Sequence, residues 1–469
     1  MPAGDHSILT RTTENAREET ATPAAGRSLR VLHFVPRLCW PLDTGAKLRN
    51  YHLARQLARR AHVTLLTFAE NGGATQQQTP RAEGQTPRAE GQSPAEPPLM
   101  RPESFYARTI TVPRGRGYTP AKILRGALGS TPLPVLNYTT AEMKEALRRV
   151  LDEQDFDVIQ VESIHLMAYL PIIRASLGRA VVLLDWHNIE SELMQRYSER
   201  ASNFLRRAYA QRTARQLNHL ERRATREFDA HVVVSRRDGA KLLEHDAGAR
   251  VFLIENGVDT AYYSDERIEQ AHRASARDAQ NAGGPHRLVF VGSMDYHANV
   301  DAAVHFAREV WPRLRERMPE LVYTIVGRDP ASEVRELASL PGVEVTGTVE
   351  DVRPYYREAV AAIIPLRVGG GSRLKILEAM AAGVAVVSTT LGAEGLEVRD
   401  GENILIADGD GELCETIAAV SRDRERRKKL GEAGRALVFE RYDWSRIGAA
   451  LFESCQSLTA EKAGRSTEL

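Results

Sequence analysis

Twice along this chain, short runs of β-branched and aliphatic residues alternate with longer stretches of helical periodicity. That alternation predicts parallel sheets built from βαβ units, since parallel neighbours need a crossover helix and antiparallel ones do not. In the first half the strand runs are "RVLHFVP" from Arg30, "HVTLLTF" from His62, "FDVIQVE" from Phe156, "AVVLLDW" from Ala180 and "HVVVS" from His231, with helical stretches such as "AKLRNYHLARQLARR" between them. The charged, small-residue stretch "SDERIEQAHRASARDAQNAGGPH" from Ser264 then reads as an interdomain linker. Beyond it the pattern restarts with "RLVFVGS", "LVYTIVG", "VEVTG", "AAIIPL" and "VAVVST", and "NVDAAVHFAREVWPRLRERM" forms a long amphipathic helix. At 469 residues the chain exceeds what one core organises, so two doubly wound α/β domains are expected.

The boundaries follow. Residues 1–28 read as a disordered tail, 29–265 as the first domain, 266–284 as linker, 285–442 as the second domain, 443–460 as a helix returning to the first domain, and 461–469 as a tail. Within the first domain the tandem heptad "TPRAEGQTPRAEGQ" has no apolar positions for a coiled coil, which predicts a disordered insertion over 70–103. Two such domains face each other across a cleft at the carboxyl ends of their strands, where open α/β sheets bind ligands.

The stretch "PLRVGGGSRLKILEAMAAGVAVVSTTLGAEGL" carries the most chemistry. Ser372 is a helix N-cap, and Leu374, Ile376, Leu377, Met380 and Ala381 supply a buried face that ends at Gly383. Arg373 and Lys375 then fall in the first turn, the wrong end of the helix dipole for cations unless an anion is there. Gly369, Gly370 and Gly371 leave bare backbone N–H groups beside them, and together these features form a phosphate receptor. The plainer reading is a solvated basic cap in which Lys375 pairs with Glu378 at i, i+3.

The segments "VSRRDGAKL…VFLIENGVD", "VFVGSMDYHANVDA", "IVGRDPA", "VEVTGTVEDVRPYY" and "GGGSRLKILEAMAAGVAVVSTTLGAEGLEV" resemble glycosyltransferase family 4, the retaining nucleotide-sugar transferases of GT-B fold. "VGSMDYHANVDA" and "GGGSRLK" also resemble bacterial sugar transferases of exosortase and exopolysaccharide systems. The resemblance implies that Glu378 is the second glutamate of an E-x7-E motif, accepting ribose hydroxyls, and that Arg373 and Lys375 neutralise a departing diphosphate. It places Gly292 and Ser293 near the phosphates and the stretch Thr346 to Val352, with Thr346 and Val349, near the nucleobase, and it counts Arg328 among the donor-binding residues. It implies no bound metal and no other cofactor. This sequence departs from the family at the first glutamate, which is Gly370, and at the usual Arg and Lys of the first loop, which fall near Ser293 and Ala298. The amides of Gly370 and Gly371, with Ser372, then stand in on the donor side.

In the first half, "PLDTGAKLRN" offers Asp43, Gly45 and Arg49, an acceptor-side loop by the resemblance or an ordinary helix start capped by Asp43 or Thr44. "DWHNIE" sets His187 at the end of an apolar strand, either presented to the reacting sugar or bound to a backbone carbonyl. "DFD" at Asp155 to Asp157 imitates a metal-binding pair but precedes its strand instead of ending it, so it reads as structural.

Charge excludes some partners. With 63 Lys+Arg against 62 Asp+Glu the net charge is +1, so there is no global field to attract nucleic acid. Three scattered cysteines and no apolar leader or membrane-length run point to a reducing, cytoplasmic setting. The arginine-rich helix "SERASNFLRRAYAQRTARQLNHLERRATREF", with Leu205, Tyr209, Leu217 and Leu220 on one side, is a solvated basic face or a peripheral contact with the inner face of a membrane. The reading as a whole is a transferase passing a sugar from a nucleotide sugar to a hydroxyl of a carbohydrate or lipid-linked acceptor. A nucleotide-sugar epimerase and a non-catalytic nucleotide-sugar scaffold are the alternatives, and Gly370 keeps the second alive.

Overall fold

The computed structural model describes residues 28–42, 44–69, 76–78, 104–114, 118–176, 178–200, 203–264, 286–368 and 373–467. The chain divides into two compact units, Met1–Glu255 with Gly448–Leu469, and Asn256–Ile447.

The first unit is built on a sheet of order β3-β4-β2-β1-β5-β6-β7-β8. Its strands are β1 (Leu29–Val35), β2 (Ala61–Ala69), β3 (Gln76–Gln78), β4 (Arg108–Pro113), β5 (Val158–Glu162), β6 (Val181–Trp186), β7 (Ala230–Val233) and β8 (Val251–Leu253). All pairings are parallel except β3 on β4. Val31 lies between Val63 and Val158, and β5 and β6 are buried along their whole length, as strands covered on both faces must be. Winding reverses between β1 and β5, which makes the carboxyl ends there a ligand crevice.

Three strands of this sheet escape the sequence reading. β4 carries polar residues, β8 is only three residues long, and β3 lies inside the segment expected to be disordered, where Gln76–Gln78 pairs antiparallel with β4. The heptad repeat itself lies outside the described residues.

The second unit holds a parallel sheet of order β11-β10-β9-β12-β13-β14. The strands are β9 (His286–Val291), β10 (Leu321–Val326), β11 (Val343–Val345), β12 (Ala359–Ile364), β13 (Val386–Ser388) and β14 (Leu405–Ile406), with the reversal between β9 and β12. The long helix expected after β9 is broken. It runs His297–His305, opens into a π turn over Phe306–Val310, and resumes at Trp311–Arg317. Pro312 has no amide to offer the carbonyl four residues back, and the N–H of Trp311 bonds Phe306, five back.

The units part at Glu255, before the boundary expected at 265. The reason is local: Val258 N–H bonds the carbonyl of Tyr442 at 2.8 Å, Thr260 bonds Asp443, and a Cβ at Gly257 would fall 2.7 Å from the Tyr442 carbonyl oxygen. The last helix also differs from the expected 443–460, running unbroken over Trp444–Thr467. From Gly448 it belongs to the first unit, where the missing Cβ leaves room for Gln56 and Lys462 Nζ reaches the carbonyl of Ala180 at 2.7 Å. Among the described residues no helix is long and apolar enough to cross a membrane.

Candidate active site

In the second unit the carboxyl ends of β9 and β10 meet through glycine. A Cβ on Gly327 would lie 1.7 Å from the carbonyl oxygen of Gly292, so nothing larger fits where these loops touch. A Cβ on Gly292 would lie 2.8 Å from Asn299 Nδ2 and 3.5 Å from Cε of Lys375. Asn299 is the hub: its Nδ2 donates to the Ser293 carbonyl at 2.8 Å, and its Oδ1 accepts from Lys375 Nζ at 2.9 Å. Arg328 Nε donates to Ser293 Oγ at 3.0 Å, and that hydroxyl donates to Asp295 at 2.7 Å. The structure thus gathers Gly292, Ser293, Arg328 and Lys375 beside the point where the winding reverses.

Lys375 carries the electrostatics. Among the described residues its ammonium makes no ion pair, and its hydrogen-bond partner is a neutral amide. Burial and the charge of Arg373 lower its pKa to about 8, against the opposing pull of Glu378. Glu378, one turn further on, is pushed up to about 7 by burial, opposed by Lys375. The i, i+3 pair of the plainer reading is not formed among the described residues, where Lys375 Nζ bonds Asn299 instead.

The helix that carries them is Leu374–Ala381, and its start differs from expectation. Arg373 is itself the N-cap residue, left-handed at φ 53°, with no side-chain cap bond. Its guanidinium is buried against Glu394, with Nε on the backbone oxygen at 3.1 Å and Nη2 on Oε2 at 3.2 Å. This cation is neutralised by a carboxylate within its own unit. Gly370, Gly371 and Ser372 lie outside the described residues. Thr346 and Val349 follow β11, where Thr346 N–H bonds Ile325 O at 3.0 Å.

The first unit holds a second polar centre at the crevice between β1 and β5. Glu162 ends β5 with its carboxylate buried, and it joins two imidazoles: His33 Nε2 at 3.0 Å on Oε1 and His187 Nε2 at 2.7 Å on Oε2. Gln160 donates to Oε1 at 2.7 Å, and Tyr106 meets His33 Nδ1 at 2.9 Å. His187 follows β6, and its Nε2 is engaged by this carboxylate. Burial opposes the charge on both partners, but the hydrogen bonds between them prevail, holding Glu162 below the usual carboxylate range and raising His187.

Arg49 lies beneath this centre, expected at the acceptor side but fully committed to the fold. Its Nη2 reaches both oxygens of Asp185 at 3.1 Å, and Nη1 donates to the carbonyls of Ile254 at 2.8 Å and Glu255 at 3.0 Å. Gly45 begins the helix Gly45–Ala58, capped by Thr44, whose Oγ1 accepts from Lys47 N; Asp43 lies outside the described residues. Asp157 of the "DFD" stretch accepts from Arg30 N at 2.8 Å, a structural bond.

Glu162, Asp185 and His187 bring ligand-type atoms within 4.8 Å of one another, the spacing a metal ion needs. Their lone pairs are already engaged by protons of His33, Gln160, His187 and Arg49, so the donor set fits a hydrogen-bond chain better than an ion cage. Glu162, Asp185, His33 and Asn299 are bonded neighbours of the candidate site residues that sequence reasoning missed. An acid within an otherwise apolar strand, as in "VIQVE" and "LLDW", was the available signal.

Comparison with known proteins agrees with this architecture. Residues 44–262 match Glycosyltransferase Family 4 and residues 285–423 match Glycosyl transferases group 1. The phosphatidyl-myo-inositol mannosyltransferase of Mycolicibacterium smegmatis is 28% identical over 219 residues, 45% of this chain and 53% of that one. An uncharacterised protein of the cps region of Klebsiella pneumoniae is 24% identical over 174 residues, 35% of this chain and 45% of that one. The chain thus spans about half the length of the curated relatives it matches. In fold it is similar to sucrose-phosphate synthase of Thermosynechococcus elongatus, with TM-score 0.65 at 18% identity over 92% of this chain and 100% of that one. Anabaena Alr3699/HepE, solved with UDP and glucose, gives 0.59 at 14% identity over 92% and 100%. Two parallel-sheet α/β units of this kind define the GT-B class. The chain belongs to the group 1, family 4 glycosyltransferases.

Proposed function

We propose that the protein transfers a sugar, with retention of configuration, from a nucleoside diphosphate sugar to a hydroxyl of a carbohydrate or lipid-linked acceptor in polysaccharide or glycolipid synthesis. The observation that carries this reading is Lys375, a half-buried ammonium with no ion pair among the described residues, held by Asn299 against the bare backbone of Gly292. Such a cation is costly unless an anion arrives, and a diphosphate gaining charge as its bond to the sugar breaks is the anion it stabilises most. Ser293 and Arg328 add donors on the same side, and Glu378 offers a carboxyl to ribose hydroxyls. His187, oriented by its bond to Glu162, faces the sugar side. Gly370, Gly371 and Ser372 complete the donor loop, Thr346 and Val349 the nucleobase side. No metal and no other cofactor takes part.

Relatives support the substrate classes: a phosphatidyl-myo-inositol mannosyltransferase, an uncharacterised protein of a cps region, and a neighbour solved with UDP and UDP-glucose. A cytoplasmic place, in peripheral contact with the inner face of a membrane, suits a lipid-linked acceptor. A panel of UDP, GDP and ADP sugars tests the reading, by thermal shift for binding and by NMR for products. Slow donor hydrolysis with the sugar released in its starting configuration supports it. Isomerised donor, or tight binding with no turnover, overturns it in favour of an epimerase or a scaffold.

A further inference from the structure

Among the described residues, seven of the ten exposed large hydrophobic side chains fall in two short segments of the first unit. One is the helix Pro120–Leu128 with Tyr118 before it, the other the start of the helix Phe204–Glu227. Gly126 is the only buried residue of the shorter helix, while Ile123, Leu124 and Leu128 are 49%, 60% and 75% exposed. An amphipathic helix that turns its apolar face to solvent loses the burial that would stabilise it. On the longer helix Phe204, Leu205 and Tyr209 are 79%, 73% and 45% exposed, whereas Leu217 and Leu220 are in the core. The single apolar side expected from the sequence is thus two faces.

The two segments form one surface. Arg212 Nη2 and Gln216 Nε2 donate to the Gly129 carbonyl at 3.0 and 2.8 Å, and Gln216 also bonds Gly126, so they tether the shorter helix. Leu205, Tyr209, Arg212 and Gln216 recur at intervals of four, three and four, one stripe of the long helix. The stripe that holds the short helix therefore continues outward into exposed Tyr209 and Leu205.

Charge selects the occupant. Lys122 and Arg125 on one helix and Arg206, Arg212 and Arg215 on the other border the apolar residues, and neither Pro120–Leu128 nor residues 204–220 contain an acid. Glu142, on a neighbouring helix, offsets Lys122. A second copy docked here would set cations against cations, while an anionic bilayer accepts both the apolar side chains and the basic border. We infer that the helix Pro120–Leu128 and the first turns of Phe204–Glu227 form a docking surface for an anionic lipid bilayer, with the apolar side chains entering the headgroup boundary. This names the surface and lipid chemistry of the peripheral contact proposed above, but it rests on separate observations and stands whether or not the chain transfers sugar.

Cosedimentation of the full chain with vesicles tests it, using phosphatidylcholine alone and mixtures in which about a third is phosphatidylglycerol. The expected result is binding to the anionic vesicles that weakens with salt. Leu124→Ser with Leu128→Ser, and separately Phe204→Ser with Leu205→Ser, should each weaken it about tenfold or more, since each deletes two insertable side chains. Melting temperature and donor hydrolysis should be unchanged in both. No binding to anionic vesicles, binding equal in wild type and both variants, or a dimer in sedimentation that the variants convert to monomer, would each overturn the inference.

Discussion

Nε2 of His187 lies 2.7 Å from Oε2 of Glu162, whose other oxygen holds His33 at 3.0 Å, so one buried carboxylate serves two imidazoles. The arrangement fixes an orientation and a charge. His187 titrates above its ordinary 6.5 despite burial, and Glu162 below its ordinary 4.5. The raised His187 stabilises the fold fully below its unfolded pKa and loses that contribution as pH climbs through the folded value. The lowered Glu162 contributes above its unfolded pKa and loses it as pH falls through the folded value. Glu162→Gln should therefore destabilise most from about pH 4.5 to 6.5 and less on the alkaline side. Urea melts across pH check this, and NMR titration should show the His187 pKa falling in the variant. An unchanged His187 titration would show that Glu162 does not set it.

Loss of the imidazole itself should be felt in turnover. His187→Ala is expected to lower kcat/KM about 10²- to 10⁴-fold, the range of a positioned acid–base or hydrogen-bonding group. KM for the donor should move little, because the diphosphate is held by other residues. A variant with normal kcat/KM would leave His187 as a packing residue of β6.

Glu378 makes a pH prediction of opposite sign. Its pKa is raised to about 7, so the folded state holds a proton that the unfolded state has released above about 4.5. Apo stability attributable to this group falls as pH climbs from about 4.5 to about 7 and is level beyond. Glu378→Gln should match wild type near pH 4 and exceed its melting temperature above pH 7, while weakening donor binding. A constant difference across pH would mean that Glu378 is not kept protonated by its burial.

Much of this was legible in the chain. Periodicity gave the two parallel sheets because fully buried strands must be nearly continuous aliphatic runs, and "GGGSRLK" announced a cation at a helix start. Arg373 was misplaced because a left-handed non-glycine cap and a partner twenty-one residues away at Glu394 leave no local trace. Glu162 and Asp185 were passed over because strand reading counts apolar residues and treats an acid as an edge, although an acid at the end of a buried strand has to find a partner. β3 and β8 could not be read, since three-residue strands take their stability from a neighbour and not from their own composition.

Metal dependence can be argued from the same centre. Each carboxylate oxygen of Glu162 accepts a hydrogen bond, and Asp185 faces a guanidinium where an ion would sit. Activity should therefore survive exhaustive EDTA treatment, with no gain on adding magnesium or manganese. Loss that a divalent ion restores would show that Glu162, Asp185 and His187 exchange their protons for a cation.

The two cations at the donor helix are expected to part company. Lys375 is half-buried without an ion pair among the described residues, so Lys375→Met keeps the stem against Gly292 and Phe290 while removing a charge that desolvation penalises. Apo melting temperature at pH 7 should rise or hold. The rate should fall, because a charge-assisted contact to a departing diphosphate is worth about 2 to 4 kcal/mol, about thirtyfold to a thousandfold in kcat/KM. Arg373→Ala should instead lower apo stability by about 1 to 3 kcal/mol, since Glu394 loses its partner. Arg373→Gly should lose about 1 kcal/mol less, because glycine carries no penalty at φ 53°. Thermal melts and steady-state kinetics on the three variants decide the matter. If Lys375→Met lowers the apo melting temperature and retains kcat/KM, the ammonium is structural and the phosphate site lies elsewhere in the unit.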